Sequence, residues 1–203
     1  MAMGSVGWCA VSVLAAGCGA EGLQNPSFEE AGASVACGVQ GVPTAASWEP
    51  ICVNLPRIPV FPSQRSGTGF VPTDGQYFMA LPAQSELSSS TAGIRQDDVD
   101  LSAVTELRFD YEAVGTVPQA AGGAGVATLE MLFTAQGTTS LWSKSFPVGT
   151  VADQARDVTV PIAGLATAGR LTIQLTVIAA PGVGLGAGAE TSVEVRLDNL
   201  RTQ

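Results

Sequence analysis

The sequence contains no histidine, and that absence removes Ser-His-Asp and Cys-His nucleophiles, histidine-ligated zinc and imidazole general bases together. Lysine occurs once, and with a formal net charge of −9 there is no basic surface to attract a phosphate backbone, so nucleic acid is not an expected partner. What remains for catalysis is a carboxylate pair of the glycosidase kind, or an unusual lysine or tyrosine base. Neither has a recognisable spacing here, and an enzyme is not expected. No window carries a sustained 3.6-residue apolar stripe with caps, so helix content should be small. There is no CxxC spacing to suggest a metal knuckle.

What is present points to one domain. A length of 203 residues suffices for one sizeable core but not for two ordinary ones once a leader is removed. Glycine (24) and proline (12) are plentiful while 13% of residues are charged, a balance that suits short strands joined by tight turns. A hydrophobic fraction of 46% argues against disorder.

The apolar run from Val6 to Ala16 has the length of a signal-peptide core and falls well short of the roughly 20 residues a spanning helix needs. It ends in Leu14, Ala15, Ala16, Gly17 and Cys18, which resembles a bacterial lipobox, although no Lys or Arg precedes the run and Ala15 stands where Leu is usual. The expected organisation is a signal peptide over 1–18, a short tether over 19–22 and a single β-sandwich domain over 23–203. Cys18 would carry the lipid and hold the domain at a membrane; the alternative is an ordinary leader cut near Gly17 or Ala20. Four tether residues reach at most about 14 Å. Gly19, rather than Asp, fits the outer-membrane-directed type. The expected location is therefore outside the cytoplasm, lipid-anchored at the bacterial cell surface or outer membrane, and otherwise secreted.

Cysteine usage agrees with that compartment. Cys9 falls in the leader and Cys18 at its end, leaving Cys37 and Cys52 as the pair within the domain. They are expected to form a disulfide, the alternative being two free buried thiols. Closing a loop of about 15 residues would stabilise the fold by about 3 kcal/mol in the chain-entropy model.

Period-two alternation dominates after residue 75. In Thr105 to Ala113, Leu107, Phe109 and Tyr111 interleave with Glu106, Arg108, Asp110 and Glu112. Leu171 to Ala179 and Ser192 to Leu200 repeat the scheme. Further strands are expected at Tyr77 to Leu81, Gly93 to Asp97, Ala127 to Ala135, Ser140 to Phe146 and Asp157 to Ile162, with an initial short one near Leu23 to Phe28. Pro50, Pro56, Pro59 and Pro62 exclude a central strand over Glu49 to Pro62. The glycine-alanine stretches Gln119 to Gly125 and Pro181 to Glu190 lack the Lys-Ser/Thr ending and following helix of a phosphate loop, and read as flexible loops. Asp97, Asp98 and Asp100 read as a turn with Asx-type hydrogen bonding rather than a cation site.

Several of these pieces, in this order, resemble a known family. Leu23-Gln24-Asn25-Pro26-Ser27-Phe28-Glu29 is similar to the first strand of galactose-binding-like jelly rolls, especially carbohydrate-binding modules of the xylan- and glucan-binding type. Asp74 to Leu81, Ile94-Arg95-Gln96, Leu107 to Tyr111 and Val195 to Leu200 follow in the family's order. The resemblance implies an all-β, galactose-binding-like jelly-roll β-sandwich of about eight or nine antiparallel strands, with a concanavalin-like sandwich as the alternative fold. It also implies a structural calcium ion held by Glu29, Asp198 and backbone carbonyls, for which hard oxygen ligands are suited.

Sugar binding needs aromatic platforms, and the domain has only Trp48 and Trp142 with Tyr77 and Tyr111. Trp48 and Trp142 are the candidate platforms, each with core packing as the alternative, and Arg95 and Gln96 are candidate polar contacts. The function expected is that of a noncatalytic cell-surface lipoprotein whose sandwich binds glycan or a surface protein. The alternatives are a self-associating structural or assembly subunit of an extracellular coat, fibre or appendage, and an accessory glycosidase-like domain.

Overall fold

Alternation gives each strand one dry and one wet face, and two such sheets closing on their dry faces make a sandwich. The computed structural model describes residues 22–37, 40–53, 61–67, 70–85, 88–162, 164–165, 168–182 and 189–203. Among them no helix occurs. The strands in chain order are β1 (Ala31–Cys37), β2 (Gln40–Ala45), β3 (Glu49–Val53), β4 (Ser63–Ser66), β5 (Tyr77–Ser85), β6 (Ser89–Val99) and β7 (Glu106–Val117). They continue as β8 (Gln119–Ala120), β9 (Gly123–Ala124), β10 (Val126–Thr134), β11 (Thr138–Ser145), β12 (Gly149–Pro161), β13 (Gly169–Ile178) and β14 (Thr191–Thr202). The residues expected to form a signal peptide, 1–18 with Cys18, and most of those expected as a tether lie outside the described residues.

Two five-stranded antiparallel sheets form the body: sheet I in the order β11-β10-β13-β6-β3 and sheet II in the order β12-β7-β14-β5-β4. Leaving out the added edge strands β3 and β4, β6-β13-β10-β11 faces β5-β14-β7-β12. From β5 to β14, setting aside the short β8–β9 hairpin, which pairs only with itself, the chain changes sheet at every step except the β10–β11 hairpin, and this is the strand order of a jelly roll. The all-β jelly-roll expectation therefore holds.

The core is the dry half of the alternation. Leu107, Phe109, Tyr111 and Ala113 from β7 and Val193, Val195 and Leu197 from β14 pack toward Leu129, Met131 and Phe133 from β10 and Leu171, Ile173, Leu175 and Val177 from β13, all buried. Pro50 is accommodated because β3 pairs only with β6 and lies at the edge of sheet I.

The strand expected at Leu23 to Phe28 is a turn instead. Asn25 at φ 45° and Phe28 at φ 61° occupy the left-handed region. The Asn25 side chain accepts from the Glu30 amide at 3.0 Å and donates to the Glu30 and Ala46 carbonyls at 2.9 and 3.0 Å. A side chain that satisfies backbone groups in this way replaces the ladder a strand would need.

Beside the sandwich, β1 and β2 form a separate hairpin. The Cys37–Cys52 disulfide, with Cα atoms 5.9 Å apart, ties its tip to β3. Cys37→Ser should lower stability by about 3 kcal/mol in a non-reducing denaturation curve. With reductant present, wild type and variant should coincide. An equal difference in both conditions would assign the loss to packing and not to the bond.

Candidate functional site

Reading the cross-strand register of sheet II gives its wet face row by row. One row runs Gln84, Ser192, Thr116, Thr150; the next Pro82, Glu194, Val114, Ala152; the third Ala80, Arg196, Glu112, Gln154. A fourth begins with the directly opposed pair Asp198 and Asp110. The floor of the second row is small and apolar, and the surface dips there. One hollow of about 220 Å³ is lined by Glu112, Val114 and Gln154 among others. Another of about 150 Å³ is lined by Pro82, Gln84, Val114 and Glu194 among others. They share Val114, so together they make a shallow groove across β12, β7, β14 and β5, about 14 Å between the outer strands at a spacing of about 4.8 Å.

Along the groove runs a chain of charges. Arg65 Nη1 lies 2.9 Å from Glu194 Oε2, Arg196 Nε 2.8 Å from Glu194 Oε1, and Arg196 Nη1 3.0 Å from Glu112 Oε2. Each guanidinium is matched by carboxylate, so the groove presents no uncompensated positive charge from these residues. Gln84 at one end, bonded to Glu190, and the exposed Gln154 at the other are neutral groups that both donate and accept.

The fourth row is sealed. Residues 70–77 lie over it: Phe70 packs on Phe78 with ring centroids 4.8 Å apart and clusters with Ala80, while the Arg156 guanidinium sits 5.3 Å above the Phe70 ring. Beneath this cover Asp198 is fully buried and Asp110 nearly so. Asp198 Oδ2 accepts from the Asp74 amide at 3.1 Å and also from the Thr73 amide, and its Oδ1 accepts from the Asn199 amide at 2.8 Å. Thr73 donates its hydroxyl to Asp110, which further accepts from the Asp157 amide at 2.6 Å and the Asn199 side chain at 3.3 Å.

These surroundings split the two carboxyls. Burial pushes Asp198 above the ordinary carboxylate value against the pull of its amide donors. Burial acts on Asp110 in the same sense, but the Asp157 amide, the Thr73 hydroxyl, the Asn199 side chain and Arg156 outweigh it and hold Asp110 below that value.

The second expected ligand of calcium, Glu29, reaches the same covering segment from its other end. Glu29 Oε1 accepts from the amides of Gln76 and Tyr77 at 2.9 and 2.8 Å. Gly75, at φ 67°, lies so near that a Cβ there would stand 2.1 Å from the Glu29 carboxyl carbon. The two carboxylates thus meet one loop, but the backbone groups they meet there are N–H donors and not the carbonyls the resemblance implies. Calcium requires oxygen lone pairs, so these residues do not fit it as arranged. Among the described residues no group of three or more His, Cys, Asp or Glu side chains could hold a metal ion.

The residues expected to contact a ligand are dispersed. Trp48 is in the core, 5.5 Å from the Phe28 ring, and donates its indole N–H to the Asn25 carbonyl at 3.2 Å. It offers no ring face to a sugar. Trp142 is half-buried, edge-on to Phe109 at 5.1 Å. Gln96 points inward and closes the N-terminal turn through the Gln24 amide and the Gln24 and Ser47 carbonyls. Arg95 alone stands on a wet face, that of sheet I, paired with Glu49 at 2.8 Å. Around it the sheet I face is rich in hydroxyls, with Thr91 bonded to Thr176 at 3.1 Å. Asp100 accepts from the Ser102 amide at 2.8 Å, an Asx bond as expected, but Asp97 and Asp98 belong to β6 and not to the turn, with Asp97 paired to Arg170.

The one lysine has its own partners. Lys144 lies 3.0 Å from Asp153, and Tyr111 donates its hydroxyl to the same carboxylate at 3.1 Å. Burial first, and then the Asp153 charge, push the Tyr111 phenol up; the hydrogen bond to Asp153 first, then Tyr111, push the Lys144 ammonium up. Neither group is tuned toward a base at neutral pH.

No protein-family model matches the chain, and no curated protein matches it. Among solved structures it is similar to a non-crystalline cellulose specific carbohydrate-binding module of family 28, at 9% identity and a TM-score of 0.47, covering 90% of this chain and 94% of that one. It is also similar to a family 61 module in complex with β-1,4-galactotriose, at 14% identity and a TM-score of 0.41, covering 89% and 96%. The family 11 module from Clostridium thermocellum, in complex with a β-1,3-1,4-mixed-linked tetrasaccharide, is matched at 11% identity and a TM-score of 0.37, covering 85% and 95%. At these identities and scores the likeness concerns general architecture, and the jelly-roll assignment rests on the strand order of this chain.

Proposed function

We propose that the protein is a noncatalytic binding module, exported and lipid-anchored through Cys18, that takes a neutral glycan in the groove of sheet II. The observation that carries this reading is the groove itself. It is open and elongated, its apolar floor lies at Val114, Ala152 and Pro82, and neutral donor–acceptor side chains stand at both ends. A glycan presents C–H patches flanked by hydroxyls, and that surface suits small apolar contacts flanked by carboxamides and carboxylates. Pairing of Arg65 and Arg196 with Glu194 and Glu112 disfavours an acidic chain, as does the net charge of −9. The groove's own carboxylates, Glu112 and Glu194, are both engaged by the Arg196 guanidinium, which supports a binding rather than hydrolytic role.

Affinity electrophoresis against neutral and uronic-acid polysaccharides tests the reading. Retention by a neutral polymer, weakened roughly tenfold by Gln154→Ala, is the expected result. Retention only by acidic polymers, or retention indifferent to Gln154→Ala and Val114→Arg, would refute it.

One observation favours the assembly reading. β12, 13 residues long, lies at the end of sheet II, so among the described residues one of its edges has no neighbouring strand in that sheet. An open edge is a template for a second chain. Concentration-dependent polymer in sedimentation velocity, with no glycan retention, would select this reading.

A further inference from the structure

The segment over the fourth row of sheet II is held from two sides by carboxylates that receive backbone N–H groups. Asp198 takes the amides of Thr73 and Asp74, and Glu29 takes those of Gln76 and Tyr77. Four amides from five consecutive residues converge on two acids. This is the geometry of an anion nest, in which peptide N–H groups gather around negative charge. A cation placed there would meet the positive ends of those dipoles.

Two details fix the arrangement. Gly75 takes φ 67°, and an added Cβ would stand 2.1 Å from the Glu29 carboxyl carbon, so the backbone comes as close to that acid as a glycine permits. The Thr73 hydroxyl bridges Asp110 and Asp198, linking the loop to two neighbouring strands at once. The segment so held carries Phe70 onto Phe78 and Ala80, beside the third row of the groove.

We propose that Glu29 and Asp198 form a metal-free clamp, in which two carboxylates bound by the loop's own amides do the work that a calcium ion would do, fixing residues 73–77 and with them the closed end of the groove. The position associated with an ion is thereby converted into a peptide-binding one. The clamp stands whether or not the groove binds glycan, and its test uses no glycan.

Thermal denaturation of the full chain and calorimetric titration with calcium chloride come first. The midpoint should be the same in EDTA and in millimolar calcium, with no binding heat. An ion bound at a hundredfold excess over its Kd would raise the midpoint by roughly 5–10 °C, and such a rise, reversed by EDTA, overturns the proposal.

Hydrogen exchange then tests the clamp directly. Gly75→Ala should displace the Glu29 carboxyl, so that the amides of Gln76 and Tyr77 lose protection by roughly tenfold or more while those of β13 keep theirs. Glu29→Ala should do the same. Glu29→Gln retains the Oε1 acceptor and should keep most of the protection. Unchanged exchange at Gln76 and Tyr77 in Glu29→Ala would refute the clamp, as would equal loss in Glu29→Ala and Glu29→Gln.

Discussion

Trp48→Ala should destabilise the protein by about 3–5 kcal/mol and leave glycan retention by the folded fraction intact. The ring is 2% exposed and packs on Phe28 in the main core, so truncation removes a large apolar volume at a site fixed by neighbours on both sides. It also removes one of the two donors to the Asn25 carbonyl, which keeps only the Phe28 amide at 3.1 Å, in a turn already committed to the left-handed conformation. Trp48→Phe keeps most of the volume and loses that bond, and should cost less, about 1–2 kcal/mol. Urea denaturation of the three proteins checks both values. If Trp48→Ala instead abolishes retention with an unchanged denaturation midpoint, the ring serves the ligand and its place in the core is wrong.

Gly115→Ala should be nearly as severe, although it adds only one methyl group. Gly115 has φ 150°, and a Cβ would stand 2.2 Å from the Ser192 carbonyl oxygen and 2.7 Å from the Val193 Cα, both backbone atoms of the adjacent β14. The substitution combines an unfavourable φ with a clash that no side-chain rotation relieves, and about 3 kcal/mol or more is expected. For a chain of this size that lowers the melting midpoint by roughly 6–12 °C. Gly137, in the turn between β10 and β11, has nothing within 4 Å of the place a Cβ would take, so Gly137→Ala is the control and should shift little. Equal midpoints for the two variants would show that β7 and β14 can part at Gly115 without penalty.

The sequence is most legible where one strand face is dry and the other wet. β7, β13 and β14 alternate over most of their length because one face packs into the core and the other meets water, and their expected and observed positions agree closely. β1 and β2 leave no such trace because they form a hairpin outside the sandwich. Over Ala31–Cys37 only Cys37 is buried, so there is no period to read. The first half of β12, Gly149 to Arg156, is hidden for a related reason. At an edge its polar positions outnumber its buried ones.

The candidate site is legible in part. Glu112, Glu194 and Arg196 are visible as the wet half of two alternating strands, but their alignment into one charged chain depends on the β7–β14 register, which no local pattern reveals. Asp110 and Asp198 look like their neighbours along the strand. Only the loop folded back over them makes them buried, and that is a tertiary fact. Trp48 and Trp142 suggest platforms from sequence because a side chain with an apolar body and one donor suits a core and a binding face equally well.

The strand order also governs timing. β14 is the last strand of the chain and lies between β5 and β7 in sheet II, so until Thr191–Thr202 is present those two strands have no common partner. At a synthesis rate of roughly 5–20 residues per second, β5 waits about 5–20 s for that partner. During this interval the sandwich cannot close, and the nascent chain stays open to threading, chaperone capture and mispairing of its exposed edges.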